Sequence, residues 1–309
     1  MNYTLHQLKV FLTIVESESI SKAAQLLFLS QPAVSIQLKN LQEQFDIPLT
    51  ELVGRRIFIT DFGREIAAAA ASILSEVERI NHKTLAYQGK LAGKIKISVV
   101  STGKYVIPYF LSGFLKQHSG LDIQVDVTNR QKVLGNLEKN EIDLALVSVL
   151  PDVLPVERLV LMPQLLYLFG KAGIACNVQQ KKGSFDWKNN PLIFREKGSG
   201  TRYLMEKYLV EHKVDYFQKL ELSSNEAVKQ AVLAGIGYSV LPHVSLKYEL
   251  NAGDLEIIPL PDFPIISEWQ LIWLRGRKMM PATEALIDYL RSNAPAIVQE
   301  HFNWLPRLS

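Results

Sequence analysis

The segment SQPAVSIQLKNLQEQF, residues 30–45, is predicted to form a helix with one apolar face and one face of mixed polar chemistry. On that second face Gln31 can pair with adenine, Ser35 can bond a base edge or a phosphate, and Ile36 can contact a thymine methyl group. Lys39 is placed to pair with a phosphate. A face that only meets solvent needs no such mixture, so the pattern predicts a helix that reads the major groove of duplex DNA.

Hydroxyl and cationic side chains recur in the C-terminal part of the chain, where predicted strands end and helices begin. The free N–H groups at the start of a helix carry partial positive charge and bind anions. Several such starts at one edge of a sheet predict a site for a carboxylate or a phosphate, although each hydroxyl taken alone is an ordinary helix cap. The candidate residues are Ser101, Thr102, Lys104, Asn129, Arg130, Ser148, Arg195, Ser199, Thr201 and Arg202.

Three short helices are predicted to position the DNA-facing residues. The first spans 4–17, the second spans 21–28 with Ser21 as its cap, and a turn at LSQP leads into the third. The apolar stripe of the third helix consists of Val34, Leu38, Leu41 and Phe45. The arrangement indicates a helix-turn-helix, and a helical bundle whose third helix has a merely polar face is the alternative.

A β-hairpin is predicted to follow these helices over residues 49–60, with its turn around Gly54. Arg55 and Arg56 stand at the tip of the hairpin, where they would hold the DNA backbone beside the minor groove. The helices and the hairpin together describe an all-α winged helix-turn-helix domain over residues 1–60.

One long helix is predicted over residues 61–90, and its apolar residues recur at alternating steps of four and three. This is the heptad pattern of a coiled coil. A helix of this length spans ~45 Å, which suits a linker that joins two chains better than the alternative, a core helix within one chain. The residues assigned to the dimer contact are Ile66, Ala70, Ile73, Val77 and Ile80.

Residues 91–309 alternate short predicted strands with helices, which is typical of an α/β fold with a parallel sheet. The length of this part fits two small lobes better than a single sheet. The strands are expected at 94–100, 122–128, 142–148, 165–169, 191–195, 219–223, 236–241, 255–258 and 269–274.

The bulk composition narrows the class of protein. The chain has 309 residues, 48% hydrophobic and 21% charged, which fits two or three globular domains. No apolar run approaches the ~18–20 residues of a membrane span, and the N-terminus does not read as a signal peptide, so we expect a cytoplasmic protein.

The single cysteine, Cys176, excludes an intrachain disulfide and a cysteine-based zinc site. Residues 1–90 carry nine basic and nine acidic side chains, so a DNA-binding assignment rests on the motif and not on net charge.

Enzymatic alternatives have little support in the sequence. It contains no Gly-x-Ser-x-Gly motif, its GSGT segment lacks the ending of a phosphate-binding P-loop, and its six histidines lack metal-ligand spacing. Asp122, Asp126 and Asp143 lie in or near predicted strands and leave a metal-dependent nuclease as an alternative, with a plain solute-binding protein as another. We expect neither an enzyme nor a bound cofactor.

The N-terminal motifs resemble a known family. SISKAAQLLFLSQPAVSIQLKNLQEQF, followed by GRRIFIT, is similar to the signature of the LysR-type bacterial transcription regulators, and the likeness continues over essentially the whole chain. This resemblance assigns DNA contacts to Gln31, Pro32 and Ser35.

The sequence departs from the family pattern in two places. Ile36 stands where many relatives have arginine, and Thr50 and Leu52 stand where the family motif Leu-Phe-x-Arg has phenylalanine and arginine. Both departures remove positive charge, so they bear on the affinity for DNA and on how it is distributed over the domain.

The resemblance also implies the architecture and the partners of the C-terminal part. That part would resemble periplasmic solute-binding proteins, with a small-molecule effector between two lobes. REKGSGTR and SNEAVKQAVLAGIGYSVLP look like the subgroup that regulates carbon-fixation (Calvin cycle) operons, which respond to phosphorylated sugars, phosphoglycolate or NADPH. Dimers or tetramers on promoter DNA would act on RNA polymerase. The implied boundaries are 1–60 for the DNA-binding domain, 61–90 for the linker, about 91–164 and 267–309 for lobe I and about 165–266 for lobe II, with crossings near 163–166 and 265–268.

Overall fold

The computed structural model of the chain describes residues 2–54, 56–87, 91–173, 185–260 and 262–306. The chain divides into two compact units, Met1–Gly89 and Lys90–Ser309. Each unit has a hydrophobic core of its own. Among the described residues, no helix combines the length and the apolar character that crossing a membrane requires.

The first two helices of the N-terminal unit begin at polar caps. Helix α1 spans Leu5–Ser17 and starts with a capping box formed by Thr4. Helix α2 spans Ile20–Leu27. Its N-cap is Ser19, which has extended backbone and a hydroxyl that accepts a backbone N–H from the first turn, so the predicted cap Ser21 is wrong.

Helix α3 spans Gln31–Gln42 and is capped by Ser30. Its inward stripe is buried and consists of Val34, Leu38 and Leu41. Phe45 lies beyond the end of the helix, so the predicted helix is three residues too long. Its ring stacks on Tyr3 and meets the edge of Phe62, at centroid distances of 6.0 and 5.8 Å. Phe45 therefore contributes to the core from the loop that follows α3.

The predicted hairpin is present as two antiparallel strands, β1 (Thr50–Val53) and β2 (Arg56–Ile59). Gly54, in the turn, has a φ of +65°, a left-handed conformation that glycine adopts without a steric penalty. Arg55 lies outside the described residues. A buried residue, Leu49, leads into β1 and anchors the hairpin in the core of the unit.

Helix α4 spans Asp61–Tyr87 and packs its first turns against α1. Ala67 and Ala70 are 5% and 1% exposed, within the core that also holds the buried face of α3. Ala70 is therefore covered by its own chain, and its predicted role in the dimer contact is wrong. The physical reason is that the small side chains of the alanine run allow α1 to approach α4 closely.

The C-terminal unit contains nine strands and six helices among its described residues. They are, in chain order, β3 (Gly93–Val100), α5 (Ile107–Gln117), β4 (Leu121–Thr128), α6 (Arg130–Glu138), β5 (Leu144–Val147), β6 (Val156–Lys171), β7 (Leu192–Arg195), α7 (Gly200–Glu211), β8 (Gln218–Leu222), α8 (Asn225–Leu233), β9 (Ser239–Pro242), α9 (Lys247–Ala252), β10 (Leu255–Ile257), β11 (Ile265–Leu274) and α10 (Pro281–His301).

A mixed sheet forms the centre of this unit, with the strand order β10-β6-β11-β5-β3-β4 and with β9 also paired to β6. Strand β3 is parallel to β4 and β5. Strand β11 is antiparallel to β5 and β6, and β6 is antiparallel to β9 and β10. The prediction of a parallel sheet is therefore correct for β3 to β5 and wrong for the strands around β6, while β7 and β8 form a separate parallel pair.

Strand β6 begins at Val156, whereas the sequence predicts a strand only over 165–169. The first five residues of β6 are exposed or half-buried, and they include Glu157 and Arg158. Pairing with the long strand β11 holds this part of β6 in place, so it needs no apolar pattern of its own. A search for buried runs finds only the second half of such a strand.

The buried residues of the C-terminal unit form separate clusters, which divide along the length of the long strands β6 and β11. The largest surrounds β3, β5, α5 and α10, and the others surround the second half of β6 with β7 to β10. The two-lobed α/β architecture is thus as predicted. The predicted crossings, 163–166 and 265–268, fall within β6 and β11, and the lobe boundaries stay a prediction.

Candidate functional site

The outward face of α3 is open to solvent within the N-terminal unit. Gln31, Pro32, Ile36 and Lys39 are exposed, Ile36 to 56%, and Ser35 is half-buried. The buried stripe on the opposite side fixes this orientation, because it locks α3 against α1 and α2. The predicted DNA-reading face of α3 is therefore accessible.

Two residues of this face have polar side-chain neighbours. The side-chain oxygen of Gln31 accepts a hydrogen bond from the hydroxyl of Ser21 at 3.2 Å. Lys39 lies 3.8 Å from Glu43, an exposed pair that leaves its ammonium free to exchange partners. Gln31 is thus held by α2, the preceding helix of the helix-turn-helix.

Gln42 also lies on the polar side of α3, but the structure uses it to attach the hairpin. Its side-chain oxygen accepts from the backbone N–H of Thr50 at 3.3 Å and from the Thr50 hydroxyl at 3.0 Å. Thr50, which departs from the family pattern, therefore tethers the hairpin to α3. Arg56 is exposed at the start of β2, where its guanidinium can reach a phosphate.

The heptad stripe of α4 divides into a covered and an open half. Ile66 packs against the core of the unit, whereas Ile73 and Ile80 are 40% and 61% exposed and Val77 is half-buried. The three open residues are spaced by four and three, so they lie on one side of the helix. The stretch available to a second chain is shorter than predicted.

In the C-terminal unit, a small cavity of about 10 Å³ lies where β3, β5 and the helices α6 and α7 meet. It is lined by Val100, Ser101, Thr102, Asn129, Arg130, Ser148, Ser199, Gly200 and Thr201. Seven of the ten predicted effector residues therefore come together. The volume is about that of one water molecule, so this structure shows the cavity closed.

Three hydroxyl groups of the cavity are free to bind a ligand. Thr102, Ser148 and Thr201 are buried, at 3%, 6% and 6% exposure, and among the described residues none of their hydroxyls has a hydrogen-bond partner. Ser199 and Asn129 cap α7 and α6, so both helix N-termini face the cavity. Free hydroxyls beside two helix starts form an environment that favours an anion.

Arg130 is the only charged residue among the described residues that line this cavity. Its Nε donates to the carbonyl of Val149 at 3.1 Å and its Nη2 to that of Leu150 at 2.5 Å. Its guanidinium also lies 5.6 Å from the ring centroid of Tyr203. These contacts hold the positive charge at the cavity wall without neutralising it, because carbonyls carry no net charge.

Three predicted effector residues do not line the cavity, and for two of them the reason is an ion pair. Arg195 binds Glu196 through Nε at 2.8 Å and Nη2 at 3.0 Å. Arg202 binds Glu206 at 2.7 Å and Glu221 at 2.5 Å. Both guanidinium groups therefore form ion pairs with carboxylates of the same chain.

The pKa of Arg202 reflects this pairing. Burial alone would lower it, but the hydrogen bonds with Glu206 and Glu221 outweigh burial and raise the pKa above its usual value. The third residue, Lys104, is exposed, with its ammonium 5.0 Å from the ring centroid of Tyr105. Arg195, Arg202 and Lys104 therefore do not line the closed cavity, and their assignment to the effector site stays a prediction.

Hydrogen bonds close the cleft around the cavity. Asn225, at the start of α8, donates to the hydroxyl of Ser101 at 3.4 Å, and the Tyr105 hydroxyl donates to Glu226 at 3.3 Å. On another side the backbone N–H of Gln131 donates to the carbonyl of Gly198 at 3.2 Å. These bonds join the predicted lobe I to the predicted lobe II.

The sequence prediction omitted the α8 side of the cleft. The segment SSNEA has the same pattern as the residues that were predicted, a hydroxyl side chain between the end of a strand and the start of a helix. Ser224 follows strand β8 and caps α8. Lys229, one turn further along α8, binds Glu226 at 2.9 Å and Glu249 at 2.7 Å. Burial would raise the pKa of Glu226, but hydrogen bonds with Gln230 and Lys229 outweigh it and lower the pKa. Glu226 therefore stays ionised and accepts the Tyr105 bond.

Comparison with known families gives two matches. Residues 5–64 match the bacterial regulatory helix-turn-helix protein of the lysR family, and residues 88–295 match the LysR substrate binding domain. Together the two matches cover α1 to α3, the hairpin, the first turn of α4 and the greater part of the C-terminal unit, and residues 65–87 of α4 lie between them.

Individual proteins show the same likeness. The chain is 34% identical to the HTH-type transcriptional activator CmpR of Synechocystis sp., over 96% of this chain and 97% of that protein. It is 33% identical to the RuBisCO operon transcriptional regulator of Acidithiobacillus ferrooxidans, over 93% of each chain.

Among solved structures, the regulatory domain of Synechocystis CcmR in complex with 2-PG is similar to the C-terminal unit. The identity is 31% and the TM-score 0.61, over 65% of this chain and 97% of that one. The matched domains, the relatives and the geometry of α3 agree: this chain belongs to the LysR family of bacterial transcriptional regulators, which bind DNA and carry an effector-binding domain and which are not enzymes.

Proposed function

We propose that this regulator reads its operator with the open face of α3 and is controlled by a small phosphorylated or carboxylated anion bound in the cavity between β3, β5, α6 and α7. The observation that carries the effector half is a set of three hydroxyls, on Thr102, Ser148 and Thr201, that have no hydrogen-bond partner among the described residues and lie beside two helix N-termini. A hydroxyl that lines a cavity and has no partner in the protein can donate its hydrogen to a ligand, so a site of this kind is suited to an anion that accepts these hydrogen bonds.

The DNA contacts follow from exposure and chemistry. Gln31, Ser35 and Ile36 would meet base edges, while Lys39 and Arg56 would pair with phosphates. Pro32, in the first turn of α3, would pack on the DNA where the helix enters the groove. Arg55 belongs to the same proposal, although it lies outside the described residues.

The chemical class of the effector is supported by the cavity and by one relative. Among the described lining residues the cavity offers one cation, Arg130, and no acidic side chain. The CcmR regulatory domain, 31% identical, was solved in complex with 2-PG. We therefore propose an anion of similar size for this chain, with its charge against the N-termini of α6 and α7.

Ligand entry requires the two lobes to separate, because the closed cavity holds only about 10 Å³. The bonds from Asn225 to Ser101 and from Tyr105 to Glu226 would break when the cleft opens and form again when it closes. An anion that binds more tightly to one of these arrangements shifts the equilibrium between them. That shift would be passed to RNA polymerase at the promoter in the cytoplasm.

A dimer would place two helix-turn-helix domains on the two half-sites of a dyad, because a single domain contacts too few base pairs for genomic specificity. Ile73, Val77 and Ile80 of α4 are the residues proposed to join the two chains. A tetramer, formed by two such dimers, is compatible with this contact.

A thermal-shift experiment tests the effector site. Phosphoglycolate at about 100 times its dissociation constant adds about 2.7 kcal/mol to the stability of the folded state, which corresponds to a rise in the melting temperature of several degrees. We expect Thr102→Ala to need at least tenfold more ligand for the same rise. Ser112→Ala, which removes an exposed hydroxyl of α5, is the matched control and should respond like the wild type. Equal responses of the wild type and Thr102→Ala would exclude the cavity as the site.

A further inference from the structure

A second, much larger groove lies in the C-terminal unit, beside the closed effector cavity. Its volume is about 890 Å³. One wall is α6, the second is the loop 151–155, and the third is the start of α7 with the residues before it. Pockets of about 300–1,000 Å³ are the size that binds small organic molecules. The groove shares only Arg130 and Ser199 with the cavity, so it is a separate space.

The middle of the groove is apolar and partly open to solvent. Leu134 and Pro151 line it, and Tyr203 is 42% exposed beside them. Val153, in the loop, is 93% exposed. The Arg130 guanidinium lies over one face of the Tyr203 ring, 5.6 Å from its centroid, so the opposite face is the surface on which a ligand ring can stack.

Gly135 leaves open space on the α6 wall of the groove. It lies inside α6, where glycine weakens a helix relative to alanine. A Cβ atom built on Gly135 would meet nothing within 4 Å, so crowding within the protein does not require glycine there. The missing side chain leaves room in the groove and brings the backbone of α6 close to whatever occupies it.

The groove is lined by three basic residues, Arg130, Lys197 and Arg202, and by three acidic residues, Glu138, Asp152 and Glu206. The bond from Gln131 N–H to the Gly198 carbonyl places Lys197 beside the first turn of α6, next to Arg130. Arg202 adds no free charge here, because Glu206 and Glu221 bind it. Glu138 ends α6, about 12 Å further along the helix. The end at the N-terminus of α6 therefore attracts an anionic group, and the helix dipole adds to that attraction.

We propose that this groove is a second ligand site, which takes an organic anion with an apolar ring body. The anionic group would bind between Arg130 and Lys197, and the ring would lie on Tyr203 and Leu134. Because α6 and the 151–155 loop belong to the predicted lobe I and α7 to the predicted lobe II, such a ligand would contact both lobes.

The test uses 8-anilinonaphthalene-1-sulfonate, a fluorescent probe with a sulfonate and an aromatic body, on the full-length protein. We expect saturable binding by the wild type. Gly135→Leu fills the groove from a position without neighbours and should weaken binding at least tenfold while the melting temperature is kept or raised. Lys197→Gln should weaken binding about threefold to tenfold by removing a cation. Lys207→Gln, on α7 but outside the groove, is the matched control for the loss of a lysine and should bind within twofold of the wild type.

Two results would overturn the proposal. One is the absence of saturable probe binding to the wild type. The other is a dissociation constant for folded Gly135→Leu equal to that of the wild type. If Gly135→Leu does not fold, Lys197→Gln decides: an affinity equal to that of Lys207→Gln means that the probe does not use this groove.

Discussion

At the scale of single residues, Gln31 is the side chain through which we propose that α3 reads a base. Its side-chain oxygen accepts from Ser21 on α2, so its orientation is set before DNA arrives. An amide oxygen has two lone pairs, and the amide nitrogen has two hydrogens. Gln31 can therefore keep the bond to Ser21 and still form the two hydrogen bonds that glutamine makes with adenine.

We expect Gln31→Ala to remove discrimination at particular base positions while the fold stays intact. The loss should be about 1–3 kcal/mol at those positions, measured by fluorescence anisotropy with operator duplexes that differ in one base pair. Gln117→Ala, an exposed glutamine at the end of α5, is the control and should keep the wild-type preferences. An unchanged ranking of the duplexes for Gln31→Ala would show that Gln31 does not read bases.

The arginines show where residue-level prediction from sequence ends. The hydroxyls of the cavity were predictable, because the ends of parallel strands meet at one edge of a sheet whatever the details of packing. The pairing of the Arg202 charge was not predictable, because its partner Glu221 lies on strand β8, 19 positions further along the chain. Whether a cation is free or paired depends on such tertiary contacts, which helix and strand patterns do not encode.

At the scale of elements, the sequence predicts a helix or strand best when that segment itself contains a cap residue and a regular apolar stripe. Helices α1 and α3 start within a residue or two of the predicted positions, because each has a polar cap and a buried stripe. Strand β6 is missed over its first half, because pairing with β11 and not burial holds it. The sequence pattern also overestimates how much of the apolar stripe of α4 is exposed. Ala70 is buried in the core of its own chain, whereas Ile73 and Ile80, further along the helix, are exposed to solvent.

The open half of the α4 stripe gives a prediction about assembly. Ile80→Asp places a charge at a side chain that is 61% exposed in the single chain, so the monomer should fold normally. In a dimer the same charge would be buried without a partner, which is strongly unfavourable. Sedimentation velocity should therefore show smaller species for Ile80→Asp. Ser75→Asp, on the opposite side of α4, should sediment like the wild type, and equal behaviour of the two variants would remove this contact from the account.

At the scale of the whole molecule, control requires that the occupied cavity change the affinity for DNA. The cavity of about 10 Å³ is closed by bonds between the lobes, including Tyr105 to Glu226, so binding and release are tied to opening. If the anion changes the affinity for DNA by some factor, DNA changes the affinity for the anion by the same factor. Under the proposed function, anion binding and DNA binding would therefore be coupled.

The most direct test of this account is a titration of operator binding with phosphoglycolate, followed by anisotropy for the wild type and for Thr201→Ala. The account predicts a saturable change in operator affinity for the wild type. For Thr201→Ala it predicts the same affinity without anion and at least a tenfold higher half-saturating concentration, because one ligand hydroxyl is gone. Superimposable dose-response curves for the two proteins, or no response of the wild type, would contradict it.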